Sequence, residues 1–320
     1  MKHEALLLLP HLRIQNANAI SGPLSWGFPA VTAFTGFVHA LQRRLQAEEL
    51  DIELDGVAIV CHHFEAQTSM PAGKRTHVFH LTRNPVNADG STAAIVEEGR
   101  AHLQVSLLIG MRGADIPDTR EVQQEFAAFM LDMALGMRLA GGSLLPGLGQ
   151  YPQLLRRSGT PEEQAQQLRR LRRRLLPGFA LVGRRDLLTE HTAQLQAADP
   201  QADTLDALLD LTRMNIDPPQ ADAEQDSPAA GWHVRPRAGW LVPIPVGYRA
   251  LGELQPAGSV RNARDRDTPF RFVESLYSLG QWLSPHRVRN LSELFWYHRA
   301  EPDAGLYLCE TTNYLPQASE

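Results

Sequence analysis

The amino-acid sequence predicts an α+β fold, and three observations lead there. Strand-like runs alternate with helix-spaced segments over residues 1–150. An insertion of about 35 residues (66–100) separates two of those strands, where a hairpin turn needs only a few residues. The second half, 151–320, is less regular and reads as further helices and proline-tolerant strands packed on the first. With 320 residues, 43% of them hydrophobic, the chain can bury a core as one large or two smaller domains.

Each element follows from its residues. EALLLLP (4–10) is a strand, and RIQNANAISGP (13–23) carries the Asn, Ser, Gly and Pro of a connector. PAVTAFTGFVHALQRRL (29–45) spaces Val31, Phe34, Val38, Leu41 and Leu45 along one helical face, and Arg43 and Arg44 complement the dipole at its end. LDIELDGVAIVCHHF (50–64) and AHLQVSLLIGM (101–111) are strands. Residues 119–139 return to helical spacing through Val122, Phe126, Phe129, Met130, Met133 and Leu135, and GGSLLPG (141–147) supplies a short strand. Strand, helix, strand, strand, helix, strand is the order of a ferredoxin-like or RNA-recognition-motif palm.

The insertion is itself patterned as a hairpin: THVFHLT (76–82) alternates, NPVNADGS (84–91) holds turn chemistry, and TAAIVEE (92–98) runs back. A hairpin protruding from a sheet points to a contact with a partner. Farther on, Thr160, Pro161 and two glutamates start a helix to Leu175 whose buried stripe is Leu168, Leu171 and Leu175, leaving Arg169, Arg170, Arg172, Arg173 and Arg174 on other faces. GFALV (178–182) reads as a strand, 203–215 as a helix, 217–231 as an acidic loop, GWLVPIPVGY (239–248) as an edge strand and 269–299 as helical in pieces.

Charge and motifs exclude several chemistries. ALLLLP is too short for a signal segment and no apolar span of about 20 residues occurs, so a soluble cytoplasmic protein without membrane contact is expected. Cys61 and Cys309 fit no zinc, haem or redox spacing and read as buried thiols in a reducing compartment. Gly73-Lys74 lacks both the earlier glycine, with Thr68 in its place, and the following hydroxyl, with Arg75 there, so it is no nucleotide loop. His62 and His63, adjacent on a strand, point to opposite faces and cannot share a metal; no metal or cofactor is expected. One histidine acting as acid or base in metal-free RNA cleavage stays open.

A net charge of −5 argues against nucleic acid until the distribution is considered. Basic and aromatic residues gather at Lys74, Arg75, His77, Phe79 and Arg83 in the insertion, at Arg261, Arg264, Arg266 and Arg271 beside Phe270 and Phe272, and on the 161–175 helix. Cations that track phosphates and rings that stack on bases are what single-stranded nucleic acid needs. Plainer readings compete: the 262–272 run is equally an ion-pair network, Trp26 and Phe28 anchor a loop or stack bases, and Asn16 and Asn18 make turns or read base edges.

The stretches 5–45, 50–87, 90–108, 174–182, 239–248, 261–276 and 282–288 closely resemble subunit two of the Csy complexes of type I-F CRISPR systems, over nearly the whole chain. The resemblance implies a Cas-five-like, non-catalytic subunit with a palm and a thumb, the thumb falling at about 66–100. It implies partnership with the large Csy subunit one, grip on the 5′ handle of the CRISPR RNA beside the Csy subunit three backbone, and assembly into a complex that finds invading double-stranded DNA. On that placement the expected RNA contacts are Arg13, Asn16, Asn18, Trp26, Phe28, Lys74, Arg75, His77, Phe79, Arg83, Arg261, Arg264, Arg266 and Arg271. A repeat-cutting RNA endonuclease and a purely structural adaptor are the alternatives.

Overall fold

A computed structural model describes residues 3–83, 86–87, 89–92, 95–147, 150–156, 160–217, 233–237, 239–263, 265–288 and 290–311. Strands β1 (Ala5–Asn18), β2 (Glu53–Ala66), β3 (Arg100–Arg112) and β4 (Gly142–Leu145), with helices α1 (Val31–Gln46) and α2 (Arg120–Leu135), fill the first half. The strands stand in the order β4-β1-β3-β2, every neighbour antiparallel. Leu7, Leu8 and Leu9 are all fully buried because β1 is covered on both faces at that level.

One face carries the helices. Phe34, Leu41 and Leu45 of α1 and Ala127, Met130 and Ala134 of α2 join Leu9, Leu12, Ile14, Leu103 and Val105 in one core. The α2 stripe is rotated from the sequence expectation: Val122 and Phe129 are exposed, and the helix stops at Leu135, with Arg138–Leu139 already a strand on β4. The opposite face is covered only along its lower part, where Leu171 and Leu175 of α3 (Pro161–Arg174) meet Leu8, Val60 and Leu108. As its sequence indicates, α3 opens with a capping box between Thr160 and Glu163.

The second half builds more sheet, not more helix. β5 (Phe179–Gly183), β6 (Trp240–Ala250), β7 (Val273–Leu283), β8 (Phe295–Glu301) and β9 (Leu306–Thr311) extend the sheet from β2 in the order β5-β7-β6-β9-β8. The expectation of helices over 269–299 is wrong: that stretch is β7, two short 3-10 turns and β8. The Leu276, Leu279 and Leu283 spacing mimics a helix, but strand pairing with β5 and β6 decides. Strand β8 then returns to β2, so β5 pairs with Val60 and Cys61 while β8 pairs with Val57 and Ala58 on the same edge. Trp296, 2% exposed, staples this seam by donating its indole N–H to the Leu181 carbonyl at 2.8 Å. Helix α4 (Arg185–Ala198), absent from the sequence reading, and α5 (Thr204–Thr212) pack together on β6 and β7 through Leu188, Ala207, Leu208, Leu241 and Leu279. The acidic loop lies beyond Asp217, outside the described residues.

Candidate nucleic-acid interface

The connector of 13–23 is not a connector throughout. β1 runs on to Asn18, and Ile20–Gly22 and Ser25–Trp26 form a small hairpin after it. Half-buried alternation, Leu12 and Ile14 inward with Arg13 and Gln15 outward, is a strand with one wet face. Asn18 makes a turn: its side chain both accepts from the Ile20 N–H at 3.0 Å and donates to the Ile20 carbonyl at 2.9 Å. Asn16 sits at φ +58 and accepts from Gln67 Nε2 at 2.5 Å.

The hairpin carries Trp26 to the base of the insertion. Its ring lies 4.9 Å from Phe79 and 6.5 Å, edge on, from Phe64. Gly99 is there for clearance, since a Cβ at that position would collide with the indole nitrogen. Trp26 stays 41% exposed. In the insertion, Leu81–Arg83 pairs with Ile95–Glu97 as the expected hairpin requires, whereas Val78–Phe79 departs from it and pairs back with Thr68–Ser69. Lys74 and Arg75 stand exposed on the turn between the first two strands, and Thr68 Oγ1 meets His77 Nδ1 at 3.0 Å across it. The backbone of Arg83 is in the second ladder; its side chain lies outside the described residues.

Phe28 goes elsewhere. It stacks on Phe34 at 5.4 Å and meets Trp282 edge on at 4.9 Å, which makes it a core anchor. Between Trp26, Phe28, Phe64, Phe179, Trp240 and Trp282 runs an apolar groove of about 580 Å³. Its rim is exposed, Trp240 by 58% and Leu24 by 88%. Sequence reasoning missed this groove because its walls come from both ends of the chain, from Trp26 to Trp282, and each aromatic alone reads as core.

The third basic cluster is differently built. Arg271 Nη1 donates to the Pro302 carbonyl at 2.7 Å, bracing a neighbouring turn. Asp265 accepts from the N–H groups of Asp267 at 3.0 Å and Thr268 at 2.7 Å, so it shapes a turn as well. Arg261 and Arg266 are exposed, and Arg264 lies outside the described residues. The loop springs from Tyr248 and Ser275, which face Asn18, Ile20 and Gly22 across an open cleft of about 660 Å³. The basic helix also divides: Arg172 donates to the Val288 carbonyl and Arg174 to the Tyr151 carbonyl at 2.8 Å, while Arg169, Arg170 and Arg173 are exposed.

Above α3 the helix-free face of the sheet is open and polar. Arg13, Gln104 and His63 lie side by side there across β1, β3 and β2. The bulge between Cys61 and His63 breaks strict alternation, so the expectation that His62 and His63 must face apart does not hold. Among the described residues no group of three or more His, Cys, Asp or Glu is placed to hold a metal ion, and no helix is long and apolar enough to cross a membrane.

The profile of the family described as "CRISPR-associated protein (Cas_Csy2)" matches residues 7–309. The chain belongs to this family. It is also 60% identical over 322 residues, covering 98% of each chain, to the CRISPR-associated protein Csy2 of Pseudomonas aeruginosa (strain UCBPP-PA14). The resemblance to the type I-F subunit therefore holds from the first strand of the sheet to the last.

Proposed function

We propose that the chain is a non-catalytic RNA-binding subunit of a type I-F Csy complex in the cytoplasm, holding the 5′ handle of the CRISPR RNA. In this reading β4-β1-β3-β2 with α1 and α2 is an RNA-recognition-motif palm, and the 66–100 insertion is its thumb. The observation that carries it is the aromatic row Phe64, Trp26, Phe79 beside exposed Lys74 and Arg75. Such a row offers stacking faces of about 1–3 kcal/mol per base, with cations beside them for the phosphates. The negative total charge is no obstacle, since exposed charges beyond about 8 Å are screened at physiological salt.

The exposed rim of the aromatic groove fits a subunit that buries surface against other proteins, here the large Csy subunit one and the subunit three backbone. Target double-stranded DNA is a ligand of the assembled complex. The test is binding of repeat-derived RNA by the chain together with its large partner subunit. An intact shifted band, weakened by salt with a log-log slope near −0.7 per phosphate contacted, supports the reading. A cleaved product turns the assignment to an endonuclease, and no RNA contact at all turns it to a structural adaptor.

A further inference from the structure

Two bulged strands deliver two histidines to one spot on the sheet face opposite α1 and α2. In β1 the register shifts between Leu9 and Leu12, and His11 takes φ +50, a left-handed value that non-glycine residues rarely adopt. In β2 the shift between Cys61 and His63 frees His62. Between them, on β3, lies Ser106, fully buried. Ser106 Oγ accepts the His11 backbone N–H at 3.0 Å and meets His62 Nε2 at 2.7 Å. The His11 carbonyl accepts from Gln150 Nε2 at 3.1 Å, so its strained backbone is clamped from both sides. The two rings face each other with centroids 4.2 Å apart. Left-handed strain at a bulge needs a reason, and re-aimed functional side chains are the usual one.

The charge set against His11 at this spot is a cation, the Arg174 guanidinium. His62 spends Nδ1–H on the Pro177 carbonyl at 2.6 Å and Nε2 on Ser106, so only His11 has ring nitrogens to offer. Arg174 of α3 is the charge facing His11, with Arg13 farther along β1. Burial and Arg174 hold the His11 imidazole below its ordinary value, while burial, partly offset by the Pro177 carbonyl and reinforced by His11, lowers His62. Among the described residues the charge acting on His11 is Arg174, and the one acting on His62 is His11.

We propose that His11 and Arg174, with His62 as a positioning residue, form a phosphate-binding site that takes up a proton with its ligand. The proposal rests on the RNA-binding reading for its ligand, a backbone phosphate of the handle. His62 lies four residues down β2 from Ala66 at the thumb base, roughly 13 Å at about 3.3 Å per residue, a span of two or three nucleotides.

Bound phosphate favours the charged imidazole, so affinity rises as pH falls from above the bound value to the lowered free value, about tenfold for each unit separating the two. The experiment titrates repeat-derived RNA, and separately inorganic phosphate, against the full chain with its partner subunit from pH 8 to pH 5.5. His11→Asn is the variant, because Asn tolerates a left-handed φ and does not titrate. The wild type should tighten on RNA by about tenfold toward low pH, with the His11 ring proton resonance moving as RNA is added, while the variant binds with a pH profile flat to within about twofold. Response to inorganic phosphate as well would assign the site to free phosphate chemistry in addition to the backbone; response to RNA alone assigns it to the nucleic acid. RNA binding with the same pH slope in both proteins overturns this site and leaves the thumb reading standing. Absence of RNA binding at every pH, with no shift of the His11 resonance on phosphate, overturns both.

Discussion

The turn of the 66–100 insertion and the sheet face opposite α1 and α2 both present cations, and they hold them in opposite ways. Lys74 and Arg75 project from a turn closed by the Lys74 N–H to Pro71 carbonyl bond at 3.0 Å, with no side-chain bond of their own among the described residues. His11 has both backbone groups bound, its ring against a second ring and an arginine beside it. The first arrangement spends ordering entropy only when a ligand arrives. The second spends it during folding, so its side chains are in place beforehand. Cations on a free turn can follow a flexible strand, whereas clamped ones fix where a phosphate must lie.

This contrast can be broken most sharply at Ser106. Replacing it with Ala leaves the His11 N–H and His62 without their buried partner, and we expect a loss of about 1–3 kcal/mol in chemical denaturation. If stability is unchanged, the clamp is an accident of packing. Next comes Trp26→Ala, which should weaken RNA binding by about 1–3 kcal/mol in a titration through the exposed part of the ring, with a smaller loss in folding from its contacts to Phe64 and Phe79. Equal losses in folding and binding would make it a core residue like Phe28. Lys74→Ala with Arg75→Ala should change stability by no more than about 0.5 kcal/mol. Its signature is a salt slope reduced by about 0.7 per lost phosphate contact. An unaltered slope removes the turn from the interface.

Acid adds a subtler test. His11 and His62 are held below the ordinary imidazole value of 6.5 in the folded chain. The unfolded chain therefore takes up protons first, and stability falls as pH drops through about 6.5 toward the lowered folded values. Above that range the two histidines contribute no pH dependence. Thermal unfolding of His11→Asn should lose less on acidification than the wild type. A parallel loss in both would place the titration elsewhere.

The α+β first half was legible because its signals are local. Leucine runs, the Val31 to Leu45 stripe and the Thr160 cap each dictate an element from a few neighbouring residues. Three parts were not legible, for physical reasons. The Val273–Leu283 segment has helix-like leucine spacing, and only pairing with distant strands makes it β. Helix α4 buries just Leu188 fully, so its periodicity is faint. The site at His11 depends on two bulges, and a bulge is a mismatch between partners that neither strand records alone. Of the expected RNA contacts, Trp26 and Phe79 meet at the base of the insertion with His77 on the same ladder, Lys74 and Arg75 stand on its turn, and Phe28 and Arg271 are spent on packing and bracing.

The seam at β2 has a further consequence. One edge of this strand is shared end to end by β5 and β8, which come from opposite ends of the second half. Removing everything after residue 150 would bare that edge along its whole apolar middle, Val57 to Val60, inviting neighbouring molecules to add strands there. The later residues thus act as a permanent guard rail for the earlier ones, and a chain cut at residue 150 should be recovered as aggregate.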